Sequence, residues 1–420
     1  MRHCSPPQPQ AGVHPEAPRR TEPLDDPATL PPVIRAIYDW LNFKARPVKT
    51  ADFAAFLSSV KPVEAFDSFA ELPDTFTLFQ HISKMPENSV MTLKDSGPKH
   101  WALDMLHHQT FDGSTSELGI NKDKLLCLLN HLLENSVLNM ANLWERQDSY
   151  AVALSGGIDS GLMASFLRKL APDILIHSYS IGSERCNEFN YARQCADFVG
   201  TEHKEILMDD KQFLEGLVNV IYFNEIYDSA FAEVCAPFHW LYQEAAKDAK
   251  LLLTGFGADM LLAGIVEPGF LHQYLNKKMA LKLARTKWTG EFNPYLHEHH
   301  GIDVRHPFLS RPLIHLCKSL DPQFKVNGGC VKYILKELAE KLNLLPKEII
   351  WREKVRLEDG MGNNGMFSQF LGLSTARSYK KKDIFTYEIF KLLFQERVPI
   401  AEIDLADIRN NVVSKGLIHV

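Results

Sequence analysis

Two kinds of apolar spacing alternate through the middle of the chain. Short, nearly continuous apolar runs predict buried strands at 150–154, 174–180, 205–208 and 251–254. Between them, apolar residues recur every three or four positions, which predicts helices at 122–146, 161–170 and 187–199. Strands that alternate with helices in this rhythm predict an α/β fold with a parallel, doubly wound sheet. Beyond residue 265 the pattern is mainly helical, so we expect a helical C-terminal part.

The N-terminal part of the chain has a different pattern. Residues 1–32 contain nine of the 23 prolines and few apolar residues, so they cannot bury enough surface to offset the entropy lost on ordering. We predict that they form a disordered tail. Residues 33–118 mix short helical patterns with an alternating strand at 90–93, which indicates a small α+β domain that ends in a polar linker. Residues 119–420 are then the main domain.

Composition and charge exclude several classes of protein. The 420 residues are 45% hydrophobic and 23% charged, and 46 Lys and Arg against 52 Asp and Glu give a net charge of −6. This mild acidity provides no attraction to nucleic acid or to an anionic membrane, and no apolar run reaches the roughly 18 residues that a membrane span needs. The seven cysteines are scattered without a CxxC pair, which fits a reducing cytoplasm. The short basic run of Lys380, Lys381 and Lys382 is typical of a solvated face.

A glycine-rich loop carries the sharpest chemical signal. It directly follows the predicted strand that ends at Leu154, and it directly precedes a predicted helix; its residues are Ser155, Gly156, Gly157, Ile158, Asp159 and Ser160. A strand, a glycine-rich turn and a helix together point backbone N–H groups at an anion. The carboxylate of Asp159 fits such a loop if Mg²⁺ lies between it and the phosphates. The alternative is a plain corner with glycines used for the turn. The Walker A pattern GxxxxGK[ST] is absent.

Two further strand ends are expected beside this loop, because ligands of open α/β sheets bind outside the carboxyl ends of the strands. Ser180, Ile181 and Gly182 end the second strand and would border an adenine pocket. A second glycine-rich turn after 251–254 contains Gly255, Phe256, Gly257 and Asp259. Asp159 and Asp259 would converge on one phosphate group, which predicts a magnesium site.

These motifs resemble the synthetase domain of the asparagine synthetase superfamily over roughly residues 120–400. The loop string SGGIDS is similar to that of the N-type ATP pyrophosphatases, which cleave ATP between the α and β phosphates, and the strings YSIG, GTEHKE, TGFGAD and RHPFL and the residue Lys332 also resemble the family. The resemblance implies the pyrophosphatase-type fold, ATP and Mg²⁺ as cofactors, and nucleotide contact by Lys332. Weaker similarity at 78–101 implies that 33–118 is the remnant of a glutaminase-like domain. Because position 2 is Arg rather than the family's nucleophilic Cys, we expect no release of ammonia from glutamine.

The segment 352–362 resembles, more narrowly, the β-lactam and carbapenam synthetases. Their catalytic lysine matches Lys354, and the glutamate of their Tyr–Glu base matches Glu291, whereas Phe256 replaces the tyrosine. The resemblance implies a ligase of antibiotic or toxin biosynthesis that adenylates the carboxylate of a small amino-acid-type substrate and closes an amide, most simply a β-lactam, with the substrate's own amine. Alternatives are an amide ligase that uses ammonia or another amine, a tRNA- or sulfur-modifying pyrophosphatase, and an inactive nucleotide-binding scaffold. The oligomeric state is not readable from the sequence.

Two other groups of residues are open to more than one interpretation. The histidines at 297, 299, 300 and 306 are interpreted as solvated or capping residues rather than as a zinc site, because no cysteine accompanies them. Asp228 and Glu233 either face the substrate amine or lie on a solvated helix face. Arg305 and Lys332 suit packing and ion pairing as well as phosphate contact.

Overall fold

The computed structural model describes residues 89–95, 101–108, 120–143, 148–264, 274–284, 294–353, 363–375 and 378–418. All of them fall within the compact unit Pro62–Val420. The predicted tail at 1–32, Lys354 and Glu291 lie outside the described residues, and so does most of the predicted domain at 33–118.

A parallel five-stranded sheet forms the centre of the described structure. Its strands are β3 (Ser149–Ala153), β4 (Leu175–Gly182), β5 (Glu202–Leu207), β6 (Leu251–Leu253) and β7 (Asp303–Arg305). They lie in the order β5-β4-β3-β6-β7, and Ala151 of β3 is opposite both His177 and Leu252. The chain runs outward from β3 on one side and then from β6 on the other, so the strand order reverses between β3 and β6. The predicted parallel, doubly wound sheet is confirmed.

Two small antiparallel strand pairs are not hydrogen-bonded to this sheet. In the first, β1 (Ser89–Asp95) pairs with β2 (Trp101–His108), with an irregularity between Thr92 and Leu93. The predicted strand at 90–93 lies within β1. In the second, β8 (Val326–Asn327) pairs with β9 (Cys330–Val331).

Helices cover the sheet and make up most of the described C-terminal part, as predicted. Those on the way to β7 are α1 (Lys122–Met140), α2 (Ile158–Leu170), α3 (Phe189–Val199), α4 (Asp210–Asn224), α5 (Ser229–Asp248), α6 (Ala258–Leu261), α7 (Leu275–Ala284) and α8 (Pro294–His299). Those after β7 are α9 (Arg311–Lys318), α10 (Pro322–Lys325), α11 (Tyr333–Lys341), α12 (Lys347–Ile350), α13 (Asn363–Leu371), α14 (Tyr379–Phe394) and α15 (Leu405–Ser414), with 3-10 turns at Pro307–Leu309 and Ile400–Glu402. None of the described helices has the length and apolar character needed to cross a membrane.

Several predicted boundaries differ from the structure for identifiable reasons. The predicted helix at 161–170 begins at Ile158, so Asp159 and Ser160 already belong to its first turn. The predicted strand at 205–208 begins at Glu202, because an exposed edge strand carries polar residues that an apolar pattern misses. Strand β7 was not predicted, since it has three residues and two of them, Asp303 and Arg305, are charged.

A fully buried ion pair joins α5 to α14. The Nζ of Lys382 lies 2.7 Å from the Oε1 of Glu233, and the two side chains are 0% and 1% exposed. The expectation of a solvated face is therefore wrong for Lys382, and of the two interpretations of Glu233 the solvated helix face is excluded. Asp228, in contrast, accepts hydrogen bonds from the N–H groups of Ala230 and Phe231 and caps α5.

Candidate nucleotide-binding site

The loop after β3 is stabilised by its own hydroxyl groups. The backbone N–H of Ser155 donates to the Oγ of Ser160 over 3.0 Å, and the Oγ atoms of the two serines also lie 3.0 Å apart. Gly156 has a φ of +71°, and a Cβ there would lie 2.6 Å from the backbone nitrogen of Ala192. Only glycine fits this left-handed, closely packed position. The serines and glycines of the motif therefore determine the shape of the loop.

The loop leads into α2 with backbone donors available. Gly157 is the N-cap of this 13-residue helix and makes no side-chain capping bond. No described residue accepts a hydrogen bond from the N–H groups of Gly156, Gly157 and Ile158. The first N–H groups of a helix have no partner within the helix and carry the positive end of its dipole. This arrangement is suited to binding an anion.

A buried lysine joins the two predicted metal ligands. The ammonium group of Lys332 contacts Oδ2 of Asp159, and it lies 2.6 Å from Oδ1 of Asp259. The Lys332 side chain is 2% exposed, whereas those of Asp159 and Asp259 are 12% and 25% exposed. The two carboxylates follow β3 and β6, so they lie on either side of the point where the strand order reverses. The structure thus brings Asp159, Asp259 and Lys332 together at the position where open α/β sheets bind ligands.

Two glycines allow this close approach. A Cβ on Gly255 would lie 2.6 Å from the backbone nitrogen of Ser160, so the turn after β6 packs directly on the start of α2. A Cβ on Gly264 would lie 1.9 Å from Oδ1 of Asp259 and 2.3 Å from Cε of Lys332. Gly257 has a φ of +101° and begins α6, which carries Asp259. A side chain at Gly255 or Gly264 would displace the charged cluster.

The residues fit a magnesium ion that also binds phosphates, but not a metal held by protein alone. Among the described residues no group of three or more His, Cys, Asp and Glu side chains could hold a metal. Two carboxylates that converge on one cation, Lys332, are nevertheless the kind of partial ligand set that Mg²⁺ uses when substrate phosphates complete its coordination.

The predicted adenine border is held by a histidine. Ser180 lies near the end of β4, and its Oγ is 3.1 Å from Nε2 of His203, whose Nδ1 is 2.8 Å from the Oγ of Ser178. Burial lowers the pKa of His203, so its neutral form is favoured. Gly182 is closely packed as well, since a Cβ there would lie 2.5 Å from the Cβ of Asn187. Ile181 is partly buried between them. His203 lies within the GTEHKE string, whose pattern alone did not assign it a contact.

The ring of Phe256 lies against an imidazole ring. Its ring centroid is 5.5 Å from that of His306, whose Nδ1 lies 2.6 Å from the Oγ1 of Thr254. Burial lowers the pKa of His306 to about 4, so the ring is neutral near pH 7. The phenyl group of Phe256 cannot itself accept a proton.

Arg352 is a contact of the loop that the sequence did not predict. Its Nη1 donates to the carbonyl oxygen of Gly156 over 3.0 Å, and its Nη2 forms an ion pair with Glu188. Its guanidinium carbon lies 3.8 Å from the centroid of the Tyr191 ring. In the sequence, Arg352 stood out only as part of the segment that contains Lys354. No local pattern of residues links it to the loop.

The remaining candidate residues are Arg305 and the histidines between positions 297 and 306. Arg305 forms an ion pair with Asp303. His297 contacts the carbonyl oxygen of Ile302, and His300 lies 3.1 Å from His239. The expectation that these histidines are solvated or capping is not met at His306, which is partly buried and contacts Thr254 and Phe256.

Comparison with known proteins supplies a family and several relatives. The family model for asparagine synthase matches residues 128–298 and 291–399. The chain is 27% identical over 311 residues to the carboxyethyl-arginine beta-lactam-synthase of Streptomyces clavuligerus, which covers 73% of this chain and 59% of that protein. It is 30% identical over 221 residues to the glutamine-hydrolyzing asparagine synthetase of Mesocricetus auratus. That match covers 50% of this chain and 39% of that protein. The chain thus spans between about two fifths and three fifths of these relatives.

Among solved structures, the chain is similar to an NH3-dependent NAD synthetase from Campylobacter jejuni. The identity is 15%, the match covers 71% of this chain and 96% of that chain, and the TM-score is 0.31. An NMN synthetase from Francisella tularensis matches with 14% identity, 68% and 98% coverage and a TM-score of 0.33.

Proposed function

Since the chain belongs to the asparagine synthase family, we propose that it is an ATP-dependent ligase that adenylates a substrate carboxylate and forms an amide. The observation that carries this proposal is the cluster of Asp159, Lys332 and Asp259 beside the SGGIDS loop. It combines backbone donors for an anion with a charged group at the point where the strand order reverses.

The first step of the proposed reaction converts a poor leaving group into a good one. A carboxylate oxygen of the substrate attacks the α-phosphorus of ATP, the bond from that phosphorus to the oxygen of the β-phosphate breaks, and pyrophosphate leaves. The N–H groups of Gly156, Gly157 and Ile158 would hold the pyrophosphate, and Lys332 would supply positive charge nearby. Donors that are fixed in place before charge develops are worth about 10²–10³ in rate each.

Asp159 and Asp259 would hold Mg²⁺ together with the phosphates. When bound, the ion would neutralise charge on the leaving pyrophosphate. In this arrangement Lys332 orients both carboxylates, because its ammonium group contacts each of them.

In the second step the substrate's amine nitrogen attacks the acyl carbon, and the bond from that carbon to the oxygen of AMP breaks. By family resemblance, Glu291 would take the proton from the amine and Lys354 would stabilise the oxyanion. Phe256 cannot relay that proton, so we propose that Glu291 acts without the tyrosine of the β-lactam synthetases.

We propose that the amine belongs to the same substrate molecule and that the product is a β-lactam. Similarity to a β-lactam synthase over 73% of the chain supports this assignment. A tethered amine also gains effective molarities of about 10⁵–10⁸ M, which offsets the strain of closing a small ring.

An intermolecular ligase that uses ammonia or another amine is the second candidate. Two observations favour it: the 30% identity to an asparagine synthetase, and a phenylalanine at the position of the tyrosine.

The test is incubation of the protein with Mg²⁺, ATP and a panel of amino-diacids and β-amino acids, followed by mass spectrometry. Intramolecular closure yields AMP, pyrophosphate and a product lighter than the substrate by one water, without added ammonia. A product that requires ammonia supports the second candidate. ADP and orthophosphate as products contradict both.

Two variants separate the steps once a substrate is found. Asp159→Ala should abolish substrate-dependent exchange of pyrophosphate into ATP, whereas Lys354→Met should retain exchange and lose amide formation. If Lys354→Met forms product at the parent rate, the assignment of Lys354 is wrong. A parent protein that shows no exchange with any substrate of the panel supports an inactive scaffold instead.

A further inference from the structure

The side chain of Arg352 makes three contacts at one place. Its Nη1 donates to the carbonyl oxygen of Gly156, its Nη2 pairs with Glu188, and its plane lies over the ring of Tyr191. The arginine and glutamate side chains are 14% and 24% exposed, so the pair is largely shielded from water. All three partners belong to the glycine-rich loop or to the start of α3.

The contact to Gly156 fixes the orientation of a whole peptide group. The carbonyl of Gly156 and the N–H of Gly157 belong to the same planar, trans peptide, so they point in opposite directions. Since the carbonyl points at Arg352, the N–H of Gly157 points away from it. No described residue accepts a hydrogen bond from that N–H group.

Gly156 needs such an anchor more than most residues. Its φ of +71° is open to glycine, and glycine has access to many other conformations. A rotation of this peptide would turn the carbonyl oxygen toward a bound anion and would turn the N–H away from it. The hydrogen bond from Arg352 opposes that rotation, and Glu188 and Tyr191 hold the guanidinium group in place.

The ion pair with Glu188 also determines where the guanidinium group of Arg352 lies. An unpaired guanidinium group beside a phosphate site would be drawn to the phosphates themselves. Paired with Glu188, it remains on the carbonyl side of the loop. The cation that faces Asp159 is instead Lys332.

We propose that Arg352 is a positioning residue that orients the Gly156–Gly157 peptide so that the N–H of Gly157 faces a bound pyrophosphate group. This inference rests on the proposed anion-binding role of the loop. It does not depend on which carboxylate or amine the protein uses.

The test measures binding of inorganic pyrophosphate in the presence of Mg²⁺ by titration calorimetry, so no amino-acid substrate is needed. Losing an oriented hydrogen bond to a charged group should weaken binding about 10-fold or more in Arg352→Gln. Arg352→Lys, which keeps the charge but not the planar fork, should lie between the parent and Arg352→Gln. Glu188→Gln should weaken binding less than Arg352→Gln, because the amide oxygen of the glutamine can still accept from Arg352 and the bond to Gly156 can persist.

The matched control is Arg193→Gln. Arg193 lies on the same helix as Tyr191 and pairs with Glu205 over 2.6 Å, but its side chain is 52% exposed and it does not contact the loop in the described structure. Its variant should bind pyrophosphate as the parent does. Melting temperatures of all variants show whether any loss of binding reflects unfolding.

Chemical rescue distinguishes positioning from simple packing. In Arg352→Ala, millimolar guanidinium ion should restore part of the pyrophosphate affinity by occupying the space over Tyr191, and it should not improve the parent. Unchanged affinity in Arg352→Gln overturns the inference and leaves the proposed ligase intact. A parent protein that does not bind pyrophosphate overturns both. A parent that binds it without forming any amide contradicts only the ligase.

Discussion

At the scale of single residues, Lys332 combines burial, charge and an unusual backbone. It has a φ of 58°, a left-handed conformation that costs an L-residue about 1–2 kcal/mol. Its side chain is 2% exposed, and its ammonium group contacts two carboxylates. Such strain persists where the surroundings require it, and here the requirement is a cation between Asp159 and Asp259.

Replacing Lys332 with methionine should therefore destabilise the protein strongly. The change leaves two carboxylates close together and shielded from water, which costs about 3–5 kcal/mol in the free energy of unfolding. Urea denaturation of the parent and of Lys332→Met measures this difference. Lys347→Met is the control, because Lys347 pairs with Glu340 at the surface, where such a pair contributes about 0–1 kcal/mol. Equal losses in the two variants would contradict a special role for Lys332.

His306, whose ring lies beside Phe256, should make the free energy of unfolding depend on pH. Burial lowers the pKa of His306 from 6.5 to about 4, so between these values the unfolded chain binds a proton that the folded chain does not. The stabilisation is complete above pH 6.5 and is lost as the pH falls through about 4; its size is on the order of 3 kcal/mol. Urea denaturation from pH 7 to 4 should show a shallower decline for His306→Gln than for the parent. Parallel declines would show that His306 does not contribute.

At the scale of elements, an ion pair inside the protein joins the helices α5 and α14. Lys382 and Glu233 are essentially inaccessible, and the ammonium group also lies 5.2 Å from the ring centroid of Phe367. Desolvation lowers the pKa of Lys382, and the carboxylate of Glu233 opposes that shift. A buried pair of this kind helps to specify which helices pack together more than it adds stability.

A double-mutant cycle of Lys382 and Glu233 should show that the ion pair adds little net stability. Lys382→Met alone should cost about 3–5 kcal/mol, because Glu233 is left as an unpaired buried charge, whereas Lys382→Met combined with Glu233→Met should recover most of the loss. Free energies of unfolding for the parent, both single variants and the double variant complete the cycle. Additive losses would mean that the two helices do not depend on the pair.

At the scale of the whole molecule, the sheet order brings distant segments to one edge. β3 lies between β4 and β6, so the loop after β3 meets the ends of both neighbours, and Lys332 reaches Asp159 across 173 positions of sequence. A ligand bound there would contact elements from across the fold. It should therefore stabilise the folded state as a unit.

Binding of Mg²⁺ and ATP should raise the melting temperature progressively with ligand concentration. At a free ligand concentration of 100 times Kd the added stabilisation is about 2.7 kcal/mol. Differential scanning calorimetry measures the shift, and AMP, which lacks the pyrophosphate group, should shift it less. Asp159→Ala should remove most of the difference between the two nucleotides. An equal response to ATP and AMP would argue against a loop that holds pyrophosphate.

Local sequence patterns were enough to predict the parallel sheet, the helical C-terminal part and the glycine-rich turn between β3 and α2. Each of these follows from local information, because apolar spacing and glycine-rich turns act over a few neighbouring residues. The folded structure was needed to show that Lys332 joins Asp159 to Asp259, that Arg352 donates to Gly156 across 196 positions, and that Glu233 and Lys382 are buried together. Such contacts depend on strand order and helix packing, and a charged residue has the same local pattern whether it pairs inside the protein or lies in water.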